Sequence, residues 1–197
     1  MLRFCCLIGA LCFFIGMTEA VEQTQGDEKT TRRKLFDFSK PQSLSRWKIV
    51  NDGVMGGRSS SRVEKATEQR MSFSGTLSLA NNGGFASTRS RDSRLRLAAG
   101  DTIVLKVKGD GRQYTFNLYV PRRRMAFSYR SDFKTVKDEW IEVRIPLDQL
   151  VATSFGTVVK GMTLNPAEVN SVGILLGDKR PGPFKILIES IEVQPNF

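Results

Sequence analysis

Histidine is absent from all 197 residues, and no cysteine follows Cys12; the other two are Cys5 and Cys6. The missing histidine excludes a Ser-His-Asp triad, and beyond residue 12 there is no cysteine nucleophile and no His- or Cys-ligated zinc site. Acid–base work would fall to carboxylates, lysine or tyrosine. Disulfide staples are excluded over the same span, so stability must come from a packed core. After residue 20 no run is apolar enough to span a bilayer, which takes about 20 residues. No stretch has the length or period of a crossover helix, which excludes alternating βαβ folds. Acidic residues are the scarcer charge: 20 Asp+Glu against 30 Lys+Arg, a formal net charge of +10.

The first twenty residues read as a targeting segment. Arg3 supplies the positive start, residues 4–17 are apolar apart from glycine and cysteine, and Thr18-Glu19-Ala20 ends on a small-x-small site. This is the layout of a secretory signal peptide cleaved after Ala20, with a retained anchor as the competing reading. The expected location is therefore secreted or periplasmic, with no transmembrane segment left after cleavage. Residues 21–33 are polar, mixed in charge and aperiodic, and are expected to be a flexible linker ahead of a single domain over 34–197. The positive balance favours acidic partners, while export argues against nucleic acid.

From Lys34 onward the pattern is β. Ile103, Leu105 and Val107 alternate with Thr102, Lys106 and Lys108. Tyr114, Phe116, Leu118 and Val120 alternate with Thr115, Asn117 and Tyr119, and Ile141, Val143 and Ile145 alternate with Trp140, Glu142 and Arg144. Such period-two runs are half-buried strands. Asn81-Asn82-Gly83-Gly84 predicts a hairpin over about 70–90. Residues 147–165 read as irregular, and Asn165-Pro166 as a capped helical turn. Nine to eleven short strands with turn signals between them predict an all-β, antiparallel β-sandwich of jelly-roll type.

The most distinctive stretch is Trp47 to Ser59, which packs three glycines into the five residues Gly53 to Gly57. It lacks the Gly-Lys-Ser/Thr ending and the following helix of a phosphate loop. It is expected to be a tight turn shaped by Asp52 and the glycines, with Val54 and Met55 tucked inward as anchors. Asp52, Arg89, Arg112, Asp178 and Lys179 flank the glycine turns and are the candidate recognition residues; the competing reading is that they pair with one another to hold the loops. Trp140 is the candidate ring for sugar stacking. The carboxylates Asp52, Asp101, Asp110, Asp132, Asp178 and Glu189 show no calcium-loop spacing. No metal or cofactor is expected.

Several motifs occur together in order: Trp47…Asn51-Asp52-Gly53-Val54-Met55-Gly56-Gly57-x-Ser59, Phe73-x-Gly75, Asn82-Gly83-Gly84-Phe85-x-Ser87-x-Arg89, Gly109-Asp110-Gly111-Arg112-x-Tyr114, Trp140…Ile145-Pro146-Leu147, and Gly177-Asp178-Lys179…Gly182-Pro183-Phe184. Spanning roughly Phe36 to Val193, this set resembles the complex I intermediate-associated protein 30 family. The resemblance implies a galactose-binding-domain-like jelly roll. It also implies a non-catalytic role: the family's best-known members are mitochondrial assembly factors, chaperones of respiratory NADH:ubiquinone oxidoreductase intermediates. The chain departs from them in carrying an export signal where a mitochondrial presequence is expected.

Two functions follow as expectations. The first is an exported, non-enzymatic module that binds a protein partner such as a membrane-complex assembly intermediate. The alternative is a carbohydrate-binding module, with Trp140 or Tyr119 on a concave face beside Asn117, Arg144 or Glu142. A hydrolase built on two facing carboxylates is a third reading.

Overall fold

The computed structural model describes residues 32–67, 69–121 and 126–196. The expected signal peptide, residues 21–31 of the expected linker, and the arginine run Arg122 to Arg124 lie outside the described residues. Strand structure starts at Arg33, one residue before the expected boundary, and Arg32 already donates two hydrogen bonds to the Glu142 carboxylate.

Among the described residues, thirteen strands form two sheets. The first holds β1 (Arg33–Asp37), β3 (Ser60–Thr67), β4 (Arg70–Leu77), β6 (Thr102–Lys108), β9 (Trp140–Pro146) and β13 (Gly182–Gln194). Its order is β3-β4-β13-β6-β9, and β1 pairs with the half of β13 that β4 leaves free. The second holds β2 (Trp47–Ile49), β5 (Ala86–Ser90), β7 (Gln113–Tyr119), β8 (Phe127–Lys134), β10 (Val151–Ser154), β11 (Thr157–Val158) and β12 (Ser171–Leu176). Its order is β11-β10-β8-β7-β12-β5-β2. Every pairing among these strands is antiparallel.

The alternation read from the sequence is what the sandwich buries. Ile103, Leu105 and Val107 of β6 and Ile186 and Ile188 of β13 face Tyr114, Phe116 and Leu118 of β7 and Val172, Ile174 and Leu176 of β12. At a typical transfer value each such side chain stabilises the fold by about 1.5–3 kcal/mol. Phe73 meets the edge of Phe184 at 5.1 Å, and Trp47 packs against Phe36 at 5.2 Å and Phe38 at 6.0 Å.

Two local expectations are corrected. The predicted hairpin over 70–90 does not form: β4 and β5 lie in different sheets, and the Asn-Gly-rich turn carries the chain across the sandwich. An Asn-Gly signal specifies a reversal, not which partners flank it. The stretch 147–165, read as irregular, contains the short hairpin β10–β11. Its strands are too brief for alternation to register.

Candidate functional site

One end of the sandwich gathers the loops β2–β3, β4–β5, β6–β7 and β12–β13. Asp52 lies at its centre. Residues Asp52–Met55 form a 3-10 turn closed by Gly56 at φ +89°, a left-handed conformation that favours glycine. The Asp52 side chain is fully buried. Its carboxylate accepts the Ser59 N–H at 2.9 Å, the Ser59 hydroxyl at 2.6 Å, the Gly84 N–H at 2.7 Å and the Phe85 N–H at 3.3 Å. Burial alone would push this carboxyl up; the donors from Ser59, Gly84 and Phe85 outweigh it and hold the group below the usual range. The neighbouring glycines follow from this. A Cβ on Gly57 would lie 2.3 Å from Asp52 Cγ, and one on Gly83 would lie 2.6 Å from Asp52 Oδ2. Asp52 is thus an internal tie between two loops and has no free face for a ligand.

The same turn reverses the expectation for its apolar pair. Val54 is 74% exposed and Met55 56% exposed, so neither anchors the loop. Asp52 anchors it from beneath, and the Asn81 amide reaches the Gly56 carbonyl at 3.3 Å from the neighbouring loop. Leu79, also exposed, belongs to that neighbouring loop.

Arg112 and Asp178 meet at this end too. The guanidinium donates Nη2–H to Asp178 Oδ1 at 2.6 Å and Nε–H to Asp178 Oδ2 at 3.0 Å. It also bonds the Arg180 carbonyl, the Pro183 carbonyl at 3.1 Å and the Gly182 carbonyl at 3.4 Å. Burial raises the Asp178 carboxyl, but its Arg112 hydrogen bonds outweigh that and leave it below its usual value. Asp110 accepts the Arg112 N–H, the Tyr114 hydroxyl and the Lys185 N–H. Burial and the adjacent Asp110 push the Tyr114 hydroxyl up. Arg112 and Asp178 therefore clamp the β12–β13 loop. Lys179 sits on it at φ +59°, exposed.

Arg89 and Trp140 lie elsewhere, on the outer faces of opposite sheets. Arg89 stacks over Tyr119 with its guanidinium 3.8 Å from the ring centroid, and donates to the Ser171 hydroxyl at 3.1 Å. Gly173 leaves room for that ring: a Cβ there would come within 3.0 Å of it. Trp140 is covered by the Arg70 guanidinium at 4.6 Å. Glu142, beside it on β9, pairs with Arg32 and Arg144. Of the two rings named for a sugar face, Tyr119 lies with Asn117 on the second sheet and Trp140 with Glu142 and Arg144 on the first, an assignment that periodicity within one strand cannot make.

The outer face of the second sheet also carries polar groups that strand-by-strand reading did not connect. Strand register sets Thr115 beside Asp132, Asn117 beside Arg130, and Ser128 beside Thr153. Thr115 donates to Asp132 at 2.6 Å and Ser128 to Asn117 at 2.9 Å. Among the described residues no group of three or more acidic, His or Cys side chains is placed to hold a metal ion, and no helix is long and apolar enough to cross a membrane.

The chain matches the complex I intermediate-associated protein 30 family over residues 36–188. It belongs to that family. The mouse protein named complex I intermediate-associated protein 30, mitochondrial, is 28% identical over 184 residues, 82% of this chain and 56% of the mouse protein. A Caenorhabditis briggsae protein carrying the same family name is 26% identical, over 80% of this chain and 53% of its own length. The chain thus spans about half the length of the relatives it matches. Among solved structures, a family 11 carbohydrate-binding module from Clostridium thermocellum, in complex with a mixed-linked tetrasaccharide, superposes with a TM-score of 0.60 at 15% identity. That match covers 82% of this chain and 94% of the module. The family 11 module of a cellulosomal cellulase from the same organism gives 0.60 at 15% identity, over 84% and 95%. At this identity the likeness concerns the fold.

Proposed function

We propose that this protein is an exported, non-catalytic module that holds a partner protein, in the manner of the assembly factors in its family. The observation that carries the proposal is the pair Val54 and Met55, exposed on a loop that a buried carboxylate keeps rigid. Water-exposed apolar side chains on a pre-ordered loop lose little entropy when a partner covers them, and such clustered exposure marks interaction sites. The carboxylates at this end are engaged by backbone or arginine donors, which supports a binding role over acid–base chemistry. Crosslinked pull-down from the native envelope fraction tests the reading. Val54→Ser with Met55→Ser should abolish capture of the partner while leaving the Tm unchanged. Capture of the same proteins by the variant overturns it, and the mass of the exported chain's N-terminus tests cleavage after Ala20.

The second reading, carbohydrate binding, is supported by the polar outer face of the second sheet and by the fold shared with sugar-binding modules. It requires Arg89 to leave the face of Tyr119. Tyr119→Ala should then abolish retention on the glycan; failure to bind any polysaccharide ends this reading.

A further inference from the structure

The β10–β11 hairpin carries a residue that neither the turn nor the core accounts for. Ser154 and Thr157 pair across a two-residue turn made of Phe155 at φ +47° and Gly156 at φ +80°. Turns with two positive φ values take Asn, Asp or Gly, and a bulky side chain is disfavoured in the first position. Yet Phe155 is there, 70% exposed. The tip is held in place: the Phe155 N–H donates to the Ala126 carbonyl at 3.0 Å, and Arg130 donates Nη2–H to the Gly156 carbonyl at 3.0 Å. Val158, 56% exposed, and Val151, 46% exposed, lie on the same outer face of the sheet, Val151 directly opposite Arg130.

The charges carried along the hairpin itself are cations. Arg130 sits at the tip and Lys160 follows β11, and residues 149–167 contain no Asp or Glu; Asp148 and Glu168 bound that segment, and Asp132 lies two residues beyond Arg130 on β8. The protein as a whole carries +10. A bilayer accepts single apolar side chains beneath the headgroups while adjacent cations stay at the phosphate level, which matches an apolar tip beside Arg130 and Lys160.

We propose that the β10–β11 hairpin is an edge by which this protein docks on an anionic lipid bilayer, with Phe155, Val158 and Val151 entering the headgroup boundary and Arg130 and Lys160 meeting the phosphates. The surface is distinct from the loop that displays Val54 and Met55. The test uses Phe155→Trp in the full chain, which keeps the tip apolar and makes it fluorescent. Phosphatidylglycerol-containing vesicles at low salt should blue-shift the emission of the added tryptophan, measured against the parent chain with its own Trp47 and Trp140. The apparent affinity should fall by about tenfold or more at high salt, since each cation near an anionic surface contributes on the order of 1 kcal/mol. Pure phosphatidylcholine vesicles should give no shift. Adding Val151→Asp and Val158→Asp should abolish the response, and adding Val54→Ser and Met55→Ser should leave it intact. An unchanged spectrum with anionic vesicles overturns the proposal, as does a shift of equal size with neutral ones. Because this signal arises at position 155, membrane binding by residues 1–20 cannot produce it.

Discussion

Asp52 shows how one buried residue can give a loop its sequence. Its carboxylate takes four donors from two loops, so Asp52→Ala leaves backbone N–H groups unpaired and should cost about 2–4 kcal/mol in urea unfolding. The folded pKa is depressed, so this stabilisation is fully present above the unfolded value near 3.9 and disappears as pH falls through the folded one. The glycines around it separate into two kinds. Gly57→Ala drives a Cβ into Asp52 and should destabilise by about 2 kcal/mol or more, whereas Gly53, with nothing within 4 Å, should accept alanine within about 0.5 kcal/mol. Equal effects of the two substitutions, measured by chemical denaturation, would contradict this account. The motif announced a tight turn in the sequence. Which residues faced inward was not legible, because a short 3-10 turn imposes no hydrophobic period; Val54 and Met55 are outside, and the acid is inside.

Among the elements, the β12–β13 loop depends on Arg112 at the start of β7. The Arg112–Asp178 pair is withdrawn from solvent, so Arg112→Ala strands a buried carboxylate and should cost about 3–5 kcal/mol. Replacing both, with Arg112→Met and Asp178→Leu, should recover much of that loss, since the unpaired charge is gone. A double-mutant cycle on unfolding free energies measures the coupling; additive effects would mean that the two residues act separately. Asp178 is held below its ordinary value, so its contribution is also present above about pH 4 and lost on further acidification. The two residues stood out in the sequence as flanks of separate glycine turns. That the candidates pair with one another was one of two readings of the sequence; which of them pair was not visible, because 66 positions separate these two and only the adjacency of β7 and β12 brings them together.

For the whole molecule, the core is the part most directly readable from composition and alternation. Phe73 on β4 packs against Phe184 on β13, and Phe73→Ala should cost about 3–5 kcal/mol as a cavity opens in a core that no disulfide supports beyond residue 12. Thermal unfolding checks this, and a shift in Tm no larger than that of Gly53→Ala would argue against a tightly packed interior. The apolar period of two by itself determined that the chain is all-β, which residues of β6, β7 and β9 face inward, and where most strands lie, because burying alternate side chains is the only way such strands leave water. Lack of histidine and late cysteine by itself excluded whole classes of chemistry. Tertiary structure alone decided which sheet each strand joined, and hence that Tyr119 and Trp140 face away from each other on opposite sides of the sandwich. It alone decided that Asp52, Arg112 and Asp178 are mutual or backbone ties, while Val54, Met55 and Phe155 are left to water. Hydrogen bonds and exposure depend on residues distant in the chain, and no local pattern encodes those neighbours.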